Sequence, residues 1–556
     1  MKSDKVHRAL TPIAVPSLRA LGAALALLAV GLGARSDHFE INKQLEIFTD
    51  VYREVHQHYV DPVSSSKLME TALHAMLATL DPYTNYIPES AVEDFRSENT
   101  GQYGGIGASL SPRGKGMVVS SIHPGASADL AGLRIGDMLL EIDGTALEGL
   151  DMDQVFRLVK GSPGTALQLT YERKGKKTQT SLKRVEVRAF NVAYSGRVAE
   201  GVGYIYLANF MGKASDEIKT AYYELLKQGP MKALVLDLRG NPGGLLDEAV
   251  RTCNLFLPKG QEVVRTKGRD RASEEIFRTS ANPIDVEIPL VVLINSGSAS
   301  ASEIVAGTLQ DLDRAVVLGQ RSFGKGLVQQ SKPISYGSQI KITIAKYYTP
   351  SGRCIQALNY AERAEDGSVR AVPDSLRNRF STRGGRTVFD GGGIDPDIAV
   401  PEPKGSALLE GLEDQWTVFD FANEVAENKP ESFLPGQFEV DDRLYARFVE
   451  FAQKRGFAHQ SYSEQLMAQL DTVMRLEGYD ELSKELAGLR QQTLKMKSND
   501  LQRQRARLAP WIGAELCERW GYLPGRIEYV LKHDEETQKA VELLQQPEVY
   551  SKVLKP

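Results

Sequence analysis

Histidine is scarce and badly placed for catalysis. The eight are His7, His38, His56, His58, His74, His123, His459 and His533, so residues 124–458 contain none. A serine-histidine-aspartate arrangement in that stretch would need an imidazole reaching in from elsewhere. Cysteine is scarcer still: Cys253, Cys354 and Cys517 form no C-x-x-C pair and no zinc-ligand spacing. That removes a disulfide framework and a structural zinc site, and with no histidine cluster no metal is expected; the three thiols read as core filling. Basic residues do not exceed acidic ones, 67 against 72 for a net charge of −5. The electrostatic drive on which nucleic-acid binding relies is therefore missing. Long apolar runs are absent too: residues 20–34, 15 in number, would reach about 22 Å as a helix, short of a bilayer core of ~30 Å.

What is present is material for three or four folded domains in 556 residues, 42% of them hydrophobic. Lys2, Lys5, Arg8 and Arg19 precede the short apolar run, and Gly31, Gly33 and Ala34 end it. This is the layout of an export signal with cleavage near residues 33–36, or of an uncleaved anchor. The expected organisation is a signal or anchor over 1–35, a helical region over 36–100 and a β-rich module over 101–188. An α/β core follows over 189–402, then a helical domain over 403–556. The β-rich module shows β-branched runs at 117–122, 138–142 and 166–171, broken by glycine turns, with one helix at 152–159. In the core, strands at 202–207, 233–238, 290–294 and 315–318 alternate with helices at 215–227, 245–255 and 301–309, the pattern of a layered α/β fold. Residues 360–393, rich in arginine and glycine, read as a loop.

Strand 290–294 runs into Asn295-Ser296-Gly297-Ser298-Ala299-Ser300-Ala301-Ser302-Glu303 and then a helix. Tiny residues let a substrate backbone approach, and a helix N-terminus offers amide N–H groups to an oxyanion. Ser300 with Glu303 also spells S-x-x-E, a capping box that needs no catalysis. With histidine missing, the base that remains is a desolvated lysine. Lys325 fits, in a glycine-flanked turn after the strand at 315–318. The same turn spells G-x-x-x-x-G-K, but Gly326 stands where a phosphate-binding loop needs Ser or Thr, and a strand follows where a helix should. Ser64-x-x-Lys67 reads as a helix start.

Four motifs, S-A-S-A-S-E-I-V-A-G (298–307), R-S-F-G-K-G-L-V-Q (321–329), D-L-R-G-N-P-G-G (237–244) and Y-Y-T-P-S-G-R (347–353), resemble those of the carboxy-terminal processing peptidases, or tail-specific proteases. These are S41 serine proteases with a Ser-Lys dyad on a ClpP/crotonase-like α/β core. The resemblance implies Ser300 as nucleophile, Lys325 as base and Gln329 orienting the amine. It also implies an oxyanion hole from the backbone amides of Ala301 and of Gly243 and Gly244. Tyr103-Gly104-Gly105-Ile106-Gly107-Ala108 and the glycine turns after it resemble a bacterial PDZ domain. Loop amides at Gly105, Ile106 and Gly107 would there hold the carboxylate of a peptide added as a strand.

The resemblance thus implies a serine endopeptidase that needs no cofactor and cleaves proteins near their C-termini, and the export-signal layout adds that it acts on exported or envelope proteins, in the periplasm or at the inner membrane. Its expected partners are proteins with exposed C-termini, an activating adaptor and a second copy of the chain, with no nucleic acid. The alternative is a non-catalytic PDZ scaffold on the same fold.

Overall fold

The computed structural model describes residues 18–188, 190–270, 274–364, 367–402 and 404–555. Lys2, Lys5 and Arg8 of the expected export signal fall on residues 1–17, outside the described residues. Two compact units, Met1–Tyr86 and Ile87–Pro556, are distinguished. In the first, the helix Leu18–His58 continues through the expected cleavage region, and Ser65–Ala78 follows a turn. Ser64 caps the second helix by accepting from Lys67 N, and the Tyr52 hydroxyl donates to Ser65 O at 2.9 Å. Among the described residues, no helix is long and apolar enough to cross a membrane.

The second unit is built on a six-stranded sheet whose spatial order follows the chain: Val192–Ala199, Val202–Leu207, Ala233–Asp237, Leu290–Ile294, Val316–Gly319 and Ile398–Ala399. The first pair is antiparallel and the rest are parallel. Leu290–Ile294 is wholly inaccessible along its length, as expected of a parallel strand covered on both faces. Leu290, Val292 and Ile294 pack with the helices Ala214–Lys227, Leu246–Phe256 and Ala301–Asp311. Val291 and Leu293 point the other way, into a cluster with Leu531, Ala540, Leu543, Leu544 and Tyr550. The second covering layer therefore comes from the end of the chain, from the helices Glu535–Leu544 and Pro547–Leu554.

A second sheet pairs Gln339–Tyr348 with Leu327–Pro333 on one side and with Glu262–Gly268 on the other, and Glu275–Arg278 lies beyond the latter. The stretch at 360–393 is not a plain loop: it carries two short hairpins, Leu358–Arg363 with Val369–Ala371 and Arg379–Ser381 with Thr387–Phe389.

The β-rich module orders its strands Ala108–Arg113, Gly116–Ile122, Met138–Ile142, Ala166–Arg173 and Lys176–Lys183. Its helix Met152–Val159 starts at a reciprocal cap between Asp151 and Gln154. Beyond residue 401 the chain is helical. Ala407–Asp414, Thr417–Val425, Asp442–Lys454 and Arg505–His533 close around Phe421, Phe448, Leu508 and Ile512, while Tyr462–Leu476 and Ser483–Lys497 stack on each other. Arg505–His533 breaks at Tyr522, where φ is 57° and ψ −167°.

Candidate active site

Three loops leave the carboxyl ends of the parallel strands and meet: 238–245, 295–300 and 320–326. Ser300 stands at the head of the helix Ala301–Asp311 with φ 53° and ψ −111°, a conformation costly for a residue with a Cβ and held only where surroundings over-determine it. The determinants are visible. Ser298 Oγ donates to Leu238 O at 2.8 Å and accepts from Asn295 N at 3.0 Å. Ala299 N reaches Asn241 O at 3.0 Å, and Ser302 Oγ donates to the same carbonyl at 2.9 Å. Ser298 and Ser302 are thus buried turn-builders, not rivals to Ser300.

Glu303 does more than cap. Its fully buried carboxylate accepts from Ser300 N at 2.8 Å and, across the cleft between loops, from Gly324 N at 2.7 Å, Lys325 N at 2.9 Å and Ser322 Oγ at 2.5 Å. Burial pushes the Glu303 pKa above its ordinary value, against the four donors that favour the anion. One side chain therefore fixes the backbone of both Ser300 and Lys325. Tyr347, also buried, ties them a second time: its hydroxyl lies 3.1 Å from Ser300 O and 2.6 Å from Lys325 O. Sequence reading recognised Glu303 only as a capping partner and did not single out Tyr347. The second had a signal, since it opens the Y-Y-T-P-S-G-R motif.

Of the amides expected at an oxyanion hole, that of Gly243 donates to Asn241 Oδ1 at 2.9 Å within its own loop. Among the described residues no acceptor pairs with the N–H of Gly244 or of Ala301. The two loops press together here. A Cβ on Gly243, whose φ is 99°, would sit 2.8 Å from Ser300 Cβ and 2.9 Å from Ala301 N. Asn241, fully buried, holds this turn from inside, its Nδ2 donating to Leu207 O at 2.8 Å.

Lys325 is half-buried in its turn. Gln329 lies on the strand Leu327–Pro333, where its Nε2 donates to Thr343 Oγ1 at 3.2 Å. The G-x-x-x-x-G-K stretch is indeed followed by that strand, so no helix N-terminus is available there for a phosphate. Cys253 and Cys517 are buried, and burial pushes both thiols up to about 12; neither is a nucleophile at neutral pH. Among the described residues, no group of three or more metal-ligating side chains occurs.

The expected peptide-binding loop precedes the strand Ala108–Arg113. Gly105 pairs with Val185, Ile106 buries its side chain in the module's core, and Gly107 has φ 72°. A Cβ on Gly107 would lie 2.2 Å from Ala126 Cβ. Their carbonyls are engaged, Ile106 O by Ala128 N at 2.8 Å and Gly107 O by His123 N at 2.9 Å, which orients the loop backbone.

Comparison with known proteins agrees with this architecture. Residues 201–362 match the model of peptidase family S41 and residues 118–173 that of the PDZ domain. Residues 408–544 match "Probable PDZ-protease, C-terminal helical domain", and residues 31–91 match "Activating protease CtpB N-terminal domain". A carboxy-terminal-processing protease of Bartonella bacilliformis is 36% identical over 341 residues, covering 61% of this chain and 78% of that one. A probable CtpA-like serine protease of Staphylococcus aureus is 31% identical over 438 residues, covering 76% and 84%. Among solved structures, the photosystem II D1 C-terminal processing protease aligns at 28% identity and TM-score 0.34, covering 64% of this chain and 92% of its own. With its own PDZ module beside a protease core of this kind, the chain belongs to peptidase family S41, among the carboxy-terminal-processing serine proteases.

Proposed function

We propose that this S41 peptidase cleaves exported or envelope proteins near their C-termini through a Ser300–Lys325 dyad. The observation that carries the reading is the Glu303 carboxylate, which accepts from the backbone of both residues and so sets nucleophile and base in one frame. In this scheme the neutral Lys325 amine takes the Ser300 hydroxyl proton as Oγ attacks the scissile carbonyl. The oxyanion meets the N–H groups of Ala301 and Gly244, at a helix N-terminus whose dipole favours negative charge. Lysine then returns the proton to the leaving amine, and water, activated by the same amine, clears the acyl-enzyme. No metal or cofactor enters these steps. Gln329 would orient the lysine from the neighbouring strand.

The PDZ module would supply selection, holding a substrate's terminal carboxylate at the Gly105-Ile106-Gly107 loop and its last residues as a strand beside Ala108–Arg113. The N-terminal segment would place the enzyme in the periplasm or at the inner membrane, and the region matched by the CtpB N-terminal model is where an activating adaptor or a second copy would bind. The test compares the full chain with Ser300→Ala and Lys325→Ala on an unfolded protein with an apolar C-terminus. Loss of turnover in both variants with the fold retained is expected; turnover surviving in Ser300→Ala would overturn the dyad.

A further inference from the structure

Arg239 follows the strand Ala233–Asp237 and begins the turn that ends in Gly243 and Gly244. Its guanidinium, only 18% exposed, is gripped from two sides. Within the core it donates to Asp237, with Nε 3.0 Å from Oδ1 and Nη2 2.5 Å from Oδ2. From the end of the chain come Asp534, accepting from Nη1 at 3.0 Å and Nη2 at 2.7 Å, and Glu536, accepting from Nη1 at 2.6 Å. The other oxygen of Glu536 accepts from Gln320 Nε2. Gln320 opens the segment that passes through Ser322 and Gly324 to Lys325, and its own N–H is anchored on Ile294 O at 3.0 Å. One buried carboxylate, at the head of the helix Glu535–Leu544, thus joins the root of the oxyanion turn to the root of the lysine turn.

We propose that Asp534 and Glu536 are positioning residues of the active site, acting through Arg239 and Gln320 to hold the 238–245 and 320–326 loops at the spacing catalysis needs. The inference rests on the Ser300–Lys325 reading for its catalytic consequence but not for the coupling itself. Misplacing a reacting group by about 1 Å from afar costs on the order of 100-fold in rate, so the last helices would be a working part of the site as well as a cover for the sheet. A bystander contact of the last helices with the same sheet exists for comparison: the Tyr550 hydroxyl, on the helix Pro547–Leu554, exchanges hydrogen bonds with Leu290 N and O at 3.0 and 3.1 Å, at the end of the strand far from the loops.

The experiment uses the full chain as wild type, Asp534→Asn, Glu536→Gln, Tyr550→Phe and Ser300→Ala. Hydrogen exchange is measured over residues 238–245 and 320–326, and kcat and KM are measured on the unfolded substrate. Expected are faster exchange in both loops and a kcat lower by about 10- to 100-fold with KM little changed in Asp534→Asn and Glu536→Gln, with neither effect in Tyr550→Phe. Unchanged loop exchange, a change in KM alone, or an equal fall of kcat in Tyr550→Phe would overturn the proposal. Faster exchange together with turnover surviving in Ser300→Ala would instead strike the dyad and leave the coupling standing.

Discussion

The helical region after residue 401 holds two neighbours in two different ways. Against the core sheet it presents an apolar layer, Leu531, Ala540, Leu543, Leu544 and Tyr550, with a buried ion network at its edge around Arg239. Against the PDZ module it presents mainly polar contacts, with the Tyr522 ring packed on the module's core. Arg113 forms a forked pair with Asp420 at 2.7 and 2.6 Å and lies over the Trp416 ring, Lys174 pairs with Glu427 at the surface, and Tyr522 reaches Asp129 at 2.9 Å. A cavity of about 490 Å³ lies between them, lined by Arg134 and Gly136 on one side and Asn423 and Trp520 on the other. Apolar burial makes an interface costly to open, whereas a few separate pairs, the forked and partly buried Arg113–Asp420 and the exposed Lys174–Glu427, leave less to break. The contrast teaches that the last helices complete the core sheet by apolar burial but meet the PDZ module mainly through specific polar pairs.

The largest effect expected is at the centre of the tightly held region. Glu303→Ala strips four donors of their acceptor in a fully buried place, so calorimetry should show a loss of at least about 3 kcal/mol together with loss of turnover. A Glu303→Ala enzyme as stable as wild type would show the loops to be held by other means. Next comes Gly243→Ala, where the new Cβ meets Ser300 Cβ, Ala299 O and Ala301 N at 2.7 to 2.9 Å and the backbone needs φ 99°. Steady-state kinetics should find kcat reduced by about 100-fold or more, the scale of a damaged oxyanion hole.

A smaller effect concerns pH. Burial works against charge on Asp534, but Arg239 prevails and holds its pKa below the ordinary 3.8. A depressed carboxylate stabilises the fold at every pH above its unfolded value and loses that contribution as pH falls through the folded one. Melting temperatures taken from pH 6 to pH 2.5 should therefore drop below pH 4 more steeply in wild type than in Asp534→Asn. Parallel curves would mean that the pair stores no pH-dependent stability. The smallest effect is at the PDZ contact: a double-mutant cycle of Arg113→Ala and Asp420→Ala should give a coupling of about 1 to 3 kcal/mol, with melting of the core unchanged. A coupling several times larger would erase the contrast between the two attachments.

Much of the scaffold was legible in the residues. Strands Val202–Leu207 and Leu290–Ile294 and helices Met152–Val159 and Ala301–Asp311 lie where apolar pattern and flanking signals put them. Within the expected helical domain, helix Ser483–Lys497 carries a weak signal because Leu489, Leu494 and Met496 are exposed and Leu486 alone is buried. The hairpins within 358–389 were missed because strands of three to six residues are too short for alternation to register. Ser300 and Lys325 stood out through small residues, glycines and the empty stretch of the histidine census. Glu303 was legible only as the capping partner it also is, since a local i, i+3 pattern cannot disclose donors supplied by another loop.

By itself the chain of residues determined which segments become strands, which helix follows the serine, and which base chemistry a core without histidine has left to it. These are local properties, carried by periodicity, turn chemistry and the titration range of single side chains. Only the tertiary structure decided that Glu303 ties Ser300 to Lys325, that the Gly243 amide is taken by Asn241, and that Asp534 and Glu536, nearly 300 residues downstream, close on Arg239. Those contacts arise from strands and helices brought together by burying both faces of one sheet, and apolar burial specifies that a face is covered without naming what covers it.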